Sequence, residues 1–131
     1  MENKYNESTP LRPDGDRVVD APMVQIYLES FMEQVKQEAT WKNSDRNAVT
    51  VFKSNKMRIV LIALHSGAVM KKHTAAGMIS VQVLEGRMEF ATDVQTTELS
   101  KGQMLALHEG IPHSVIAIEE TTFLLTIALC E

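Results

Sequence analysis

Apolar and polar residues alternate along most of the chain between residues 47 and 129, in short segments separated by turns. Alternation with a period of two is typical of β-strands that bury one face. The clearest pair, 79–84 and 87–91, flanks the turn residues Glu85 and Gly86. Further strands are predicted at 48–53, 57–65, 96–99, 104–107, 115–118 and 123–129. Many short strands joined by short turns predict an all-β domain, and argue against a helix bundle or a Rossmann unit.

The N-terminal third has a different pattern. Residues 1–20 are expected to be a flexible tail, because the segment begins with a polar stretch that contains Pro10, Pro13 and Gly15 and has no periodicity. Residues 21–46 are expected to hold a strand and one short helix that pack on the barrel, and residues 47–131 to form the barrel.

The strand of the N-terminal unit is predicted at 23–28, where apolar residues alternate, and the helix after it. Ser30 and Glu33 have the spacing of a capping box at the start of that helix. Trp41, which follows the helix, is interpreted as a packing anchor between helix and sheet, with a place in a ligand pocket as the alternative. His65 ends an apolar strand and is assigned a structural role.

Two histidine-containing segments resemble the cupins. Gly102, Gly110 and His113 are spaced as in the second cupin motif, and His73 precedes Gly86 by thirteen residues, as in the first. The resemblance covers roughly residues 47–129. It implies a double-stranded β-helix, also called a jelly-roll barrel, in a small single-domain protein.

In cupins, three histidines and one glutamate of these motifs hold a metal ion. His73 and His113 stand at the first and last histidine positions, but Ala75 replaces the second histidine and Ile79 the glutamate. The resemblance therefore implies an incomplete ligand set. His108 lies in the same turn as His113 and offers a third imidazole. A site of His73, His108 and His113 would bind a divalent transition metal such as iron, zinc, nickel or manganese.

The interior of the predicted barrel is apolar, with histidines at its mouth. Residues 79, 81 and 83 share strand parity, and Val115 follows His113 on a later strand. Such a pocket suits a small, partly apolar ligand held by one or two hydrogen bonds. The residues predicted to line it are His73, Ala75, Ile79, Val81, Val83, His108, His113 and Val115.

Three functions are open at this point. The favoured one is a cupin barrel that binds a small, partly apolar molecule in its interior, with catalysis absent or unproven. The alternative is a metal-dependent enzyme of the dioxygenase or isomerase type that uses the three histidines, against which Ala75 and Ile79 argue. The third is a structural protein whose barrel serves dimerisation. In each case we expect a homodimer, formed when the strand at 23–28 pairs with the sheet edge of a second copy.

Composition and charge limit the kinds of partner that are expected. The 131 residues carry a net charge of -4 and a pI near 5.6, which gives no electrostatic footprint for nucleic acid or an anionic membrane. No apolar segment approaches the roughly 20 residues that cross a bilayer. Cys130 is the single cysteine, and the N-terminus lacks a basic region followed by an apolar one, so a cytoplasmic location is expected.

Overall fold

Two antiparallel sheets share one apolar core in the computed structural model, which describes residues 4–6 and 17–129. The helices are α1 (Leu28–Gln37) and α2 (Ala39–Asn43). The strands are β1 (Lys4–Asn6), β2 (Arg17–Asp20), β3 (Arg46–Lys53), β4 (Met57–Leu64), β5 (Val69–His73), β6 (Met78–Glu85), β7 (Arg87–Thr92), β8 (Thr96–Ser100), β9 (Met104–Leu107), β10 (His113–Ala117) and β11 (Thr121–Ala128). The predicted all-β class is confirmed.

The chain passes repeatedly from one sheet to the other. The larger sheet has the strand order β3-β4-β11-β6-β9, and the smaller has the order β5-β10-β7-β8. Consecutive strands such as β6 and β7, or β9 and β10, therefore lie in different sheets, as in a jelly roll. Alternate residues of both sheets meet between them, including Leu64, Val81 and Val83 from the larger and Met88 and Val115 from the smaller.

The predicted strand at 23–28 does not form. Residues 24–27 have no regular structure, and Leu28 already begins α1. Leu28, Phe31, Met32 and Val35 are spaced three and four residues apart, so a helix places all of them on one face. That face packs on the outer side of the larger sheet and overrides the short alternation before it.

The predicted capping box is wrong for the same reason. Because α1 starts at Leu28, its N-cap is Tyr27, whose side chain makes no capping hydrogen bond. Ser30 and Glu33 lie inside the helix, where their side chains are exposed. The homodimer stays a prediction, but the strand that was expected to mediate it is absent.

Part of the predicted tail is ordered. β1 and β2 pair as a two-stranded antiparallel sheet, and β2 lies against β3. Val19 and Asp20 are buried there, which an unstructured tail does not achieve. The other residues of the predicted tail lie outside the described part of the chain.

A second apolar cluster joins the helices to the outer side of the larger sheet. Val35 and Trp41 contribute from the helices, and Val49, Leu61 and Ala63 from β3 and β4. The predicted role of Trp41 as a packing anchor agrees with this position. Neither helix of the described residues is long and apolar enough to cross a bilayer.

The residues at the start of β3 connect the two sheets. The Nη2 group of Arg46 donates to the carbonyl oxygen of Val69 on β5, at 2.7 Å. The same guanidinium binds the carboxylate of Asp45, and this hydrogen bond lowers the pKa of Asp45. The pair is exposed, so its role is to orient Arg46 and not to add much stability.

Hydrogen bonds of the Asn47 side chain connect β3 to α1, and their removal should lower the stability of the protein. Its buried Nδ2 group donates to the Val35 carbonyl and to Glu38, both at 2.9 Å. Asn47→Ala should lower the free energy of unfolding by about 2 kcal/mol, because a carbonyl near the end of α1 loses its donor. Urea unfolding measures the change. Asn43→Ala, at an exposed position, is the control, and equal midpoints for the two variants would contradict the assignment.

Candidate functional site

His73 and His113 lie side by side at one end of the barrel, which we call the histidine end. His113 is directly opposite His73 in the pairing of β10 with β5. The ring centroids are 4.3 Å apart, and the planes meet at 61°, so one ring presents its edge to the other. His113 is only 4% exposed, whereas His73 is open to solvent. One imidazole therefore lies behind the other at the mouth of the barrel.

An irregularity in β5 places His73 on the inner face. His113 and Val115 are two residues apart on β10, but their partners on β5, His73 and Met70, are three residues apart. β5 thus carries one extra residue, as in a β-bulge. In a regular strand, side chains three residues apart point to opposite faces, yet Met70 and His73 line the same cavity.

Hydrogen bonds to the backbone set the tautomer of both histidines. Nδ1 of His73 lies 2.7 Å from the carbonyl oxygen of Lys71, and Nδ1 of His113 lies 2.9 Å from that of Ile111. A carbonyl only accepts, so Nδ1 carries the proton in each ring. In the neutral form, Nε2 then has an unprotonated lone pair. Phe90 stacks on His113 with a centroid distance of 5.3 Å and supports its orientation.

A small cavity lies behind the histidines, and we call it the histidine cavity. Its volume is about 20 Å³, which is room for roughly one water molecule. The expected ligand-sized pocket is thus filled by the side chains of the barrel itself. The cavity is lined by Ile62, Met70, His73, Ile79, Val81, Phe90, His113, Val115, Phe123 and Leu125.

The structure brings together part of the predicted lining set. The predicted residues that border the histidine cavity are His73, Ile79, Val81, His113 and Val115. Strand parity accounts for the three apolar members, because Ile79 and Val81 alternate on β6 and Val115 follows His113 by two residues.

The other three predicted residues lie elsewhere. Ala75 is half-buried against the core, and its carbonyl accepts a hydrogen bond from the Gly110 amide at 3.2 Å. Val83 is buried deeper in the barrel. His108 is exposed in the turn before β10 and does not border the cavity. The bond to Ala75 fixes the turn that delivers His113, but it does not bring His108 beside it.

Arg58 also belongs to the histidine end, although sequence analysis assigned it no role. It lies opposite Ile127 on β11, and Ile127 lies opposite Ile79 on β6. Directly opposite residues share a face of the sheet, so Arg58 is on the inner face in the same row as Ile79. Its Nε atom is buried and has no hydrogen-bond partner. The signal in the sequence was a single charge in an otherwise apolar strand.

The donor set does not fit the metal site of the cupin motifs. Within residues 17–129, no three His, Cys, Asp or Glu side chains are grouped so that they could share one ion. Ala75 and the buried Ile79 supply no ligand atom at the two replaced positions. Two imidazoles alone leave most of the coordination sphere of a divalent ion unfilled.

The same barrel occurs in solved bacterial structures. A cupin-2 domain protein from Shewanella frigidimarina superposes with a TM-score of 0.64 and 18% identity, over 79% of this chain and 93% of that one. An RmlC-like cupin from Desulfovibrio desulfuricans gives 0.58 and 28%, over 63% and 81%. The fold is that of a small single-domain cupin.

Another similar structure is a conserved protein of unknown function from Streptococcus pyogenes. It is 26% identical with a TM-score of 0.63, over 68% of this chain and 78% of that chain. No protein-family model matches the sequence, and neither does any curated protein. These likenesses identify the cupin barrel without assigning a ligand or a reaction to it.

Proposed function

We propose that this cupin binds a small, partly apolar molecule at the histidine end of its barrel. The pair of adjacent imidazoles carries the proposal. Both Nδ1 protons are engaged by backbone carbonyls, so the Nε2 lone pairs of His73 and His113 are the acceptors left for a ligand. A ligand hydroxyl or amine donates to one of them. The apolar part of the ligand faces the side chains behind the histidines.

Entry of the apolar part requires movement of a side chain, because the histidine cavity has only about 20 Å³. Met70 is the side chain suited to move. It is half-buried, borders the cavity beside His73, and has an unbranched, flexible chain. The ligand therefore binds at the mouth and replaces the Met70 side chain where it enters the barrel.

The metal-dependent enzyme is the alternative, and no observation favours it over binding. Its three-histidine site needs His108, which lies away from the pair. Elemental analysis after incubation with iron, zinc, nickel and manganese distinguishes the two functions. A metal retained at about one ion per chain, and lost in His73→Ala and His108→Ala, would favour the enzyme instead.

The binding proposal is tested by ring substitution at the pair. His73→Phe and His113→Phe keep an aromatic ring in place but remove the Nε2 acceptor. Alcohols and amines of three to six carbon atoms serve as probes, and NMR signals of the protein report binding. At least one of the two variants should bind about 10-fold more weakly, because the ligand loses its hydrogen bond to the Nε2 atom of that histidine. His108→Phe is the matched control and should bind as the wild type does.

Two results would count against binding at the pair. One is a set of probes that perturbs no signal of His73 or His113 in the wild-type protein. The other is an equal loss of affinity in all three phenylalanine variants, which would indicate a general effect on the fold. His73 is exposed, so its variant should unfold at nearly the wild-type temperature and separates binding from stability.

A further inference from the structure

We propose that the ligand of the histidine end is a small hydroxycarboxylate and that Arg58 binds its carboxylate. This inference rests on the proposed function and names the ligand class. Arg58 is the single charged residue of β4, and it shares the inner face with Ile127 and Ile79. Two interstrand spacings, about 10 Å, separate Arg58 from Ile79 along that row. Ile79 itself borders the histidine cavity, and Arg58 lies outside that cavity, two strands away in the same row.

The guanidinium of Arg58 has unused hydrogen-bonding capacity. Its Nε atom is buried without a partner, and none of the ion pairs among the described residues includes this side chain. A buried N–H group without an acceptor has lost its hydrogen bonds to water and gained none in return, which is unfavourable. A ligand that supplies the acceptor offsets this cost when it binds.

The charges around Arg58 favour an anion. Lys53 lies directly opposite Arg58 on β3 and is exposed, so two cations are neighbours on one face. Like charges side by side are unfavourable and become favourable when an anion bridges them.

The two halves of the site require two different ligand groups. The planar fork of an arginine matches a carboxylate, which accepts two parallel hydrogen bonds. The neutral imidazoles present Nε2 acceptors, which a carboxylate does not satisfy but a hydroxyl does. A simple alcohol would leave Arg58 without an acceptor, and a simple carboxylate would leave the histidines without a donor. A hydroxycarboxylate with a short apolar chain satisfies both.

The test uses five probes that differ in one group at a time. They are 2-, 3- and 4-hydroxybutyrate, butyrate without the hydroxyl, and 1,3-butanediol without the carboxylate. Binding is followed by the NMR signals of the histidine rings in the wild type, Arg58→Met and Arg58→Lys. At least one hydroxybutyrate should bind the wild type about 10-fold more tightly than the diol. Arg58→Met should abolish this advantage and weaken binding of the diol much less, because a neutral hydroxyl is a weaker acceptor for Arg58 than a carboxylate. Arg58→Lys should keep part of the advantage.

The outcomes separate this inference from the proposed function. If the diol and the hydroxybutyrates perturb the histidines equally in the wild type and in Arg58→Met, the carboxylate assignment is wrong and binding at the histidines stands. If no probe perturbs the histidines, both fail. The unliganded Arg58→Met protein should be at least as stable as the wild type, because it lacks the unpaired N–H. A urea midpoint clearly below that of the wild type would assign Arg58 a structural role and overturn the inference.

Discussion

Trp41→Ala should destabilise the protein by about 3–5 kcal/mol, the range for removal of a large buried aromatic side chain. Trp41 is 7% exposed and belongs to the apolar cluster between the helices and the larger sheet. Its indole stacks on the His65 ring with a centroid distance of 3.5 Å and an interplanar angle of 15°. The Nε2 group of His65 also donates to the Trp41 carbonyl at 2.9 Å. The substitution thus removes the aromatic stack and leaves a cavity beneath α2.

Urea unfolding followed by far-UV circular dichroism measures the effect, because the variant lacks the only tryptophan. Trp41→Phe should lose clearly less stability, since a smaller ring still fills part of the space and still faces His65. Lys42→Ala, at the exposed neighbouring position, should change stability by less than about 0.5 kcal/mol. If Trp41→Ala lost no more than Lys42→Ala, α2 would not belong to the cooperatively folded unit.

Strand positions in the barrel were predictable because both faces of each strand constrain the sequence. The predicted segment 79–84 corresponds to β6 (Met78–Glu85), and 104–107 corresponds to β9 (Met104–Leu107). In β6, Ile79, Val81 and Val83 are buried, and the residues between them face outward. An alternation of this length predicts which side chains of the strand are buried and which face outward.

The strand predicted at 23–28 is wrong because the segment is too short to distinguish the period of a strand from that of a helix. Val24, Ile26 and Leu28 alternate, but Leu28 also begins the helical spacing that continues to Val35. The longer pattern buries more apolar surface on the sheet and determines the structure. The alternation that predicted the strand therefore ended where the helix began.

The candidate site was less predictable than the fold. Parity placed Ile79 and Val81 inward, and the cupin resemblance pointed to His73 and His113. However, strand alternation does not predict the extra residue in β5 that brings His73 to the inner face. It also does not predict which way the side chain of His108 points, because His108 lies in a turn. The size of the cavity depends on how side chains of both sheets fill the space between them, which a single strand does not reveal.

Arg58 illustrates a physical signal that is present in the sequence but that the strand predictions did not use. A lone charge in an apolar strand is unfavourable unless it has a partner. The register of β4, β11 and β6 shows that this charge lies on the inner face, in the same row as Ile79 of the histidine cavity. The alternation within β4 indicates which face of the sheet Arg58 lies on. Only the pairing of β4, β11 and β6 shows that it lies in the same row as Ile79.

Gly86→Ala should be among the most destabilising single substitutions in the barrel, with a loss above about 3 kcal/mol. Gly86 has a φ of +88°, where a side chain is strained by about 1–2 kcal/mol. A Cβ atom there would also lie 2.2 Å from the carbonyl oxygen of Glu120 and 2.7 Å from the Cα atom of Thr121. Both are backbone atoms. Thr121 is fully buried and accepts a hydrogen bond from the Arg87 amide at 3.1 Å, so the clash is not relieved by moving a side chain.

Gly102→Ala is the control that separates the two causes. Gly102 has a similar φ of +85°, but a Cβ atom there would have no neighbour within 4 Å. Its loss should be about 1–2 kcal/mol, the cost of the left-handed conformation alone. Urea midpoints of both variants, measured at low temperature where the less stable one still folds, give the difference. Equal losses of stability in the two variants would mean that the turn between β6 and β7 moves away from β11 at little cost. The close approach of Gly86 to the backbone of β11 would then not determine how the two sheets are connected.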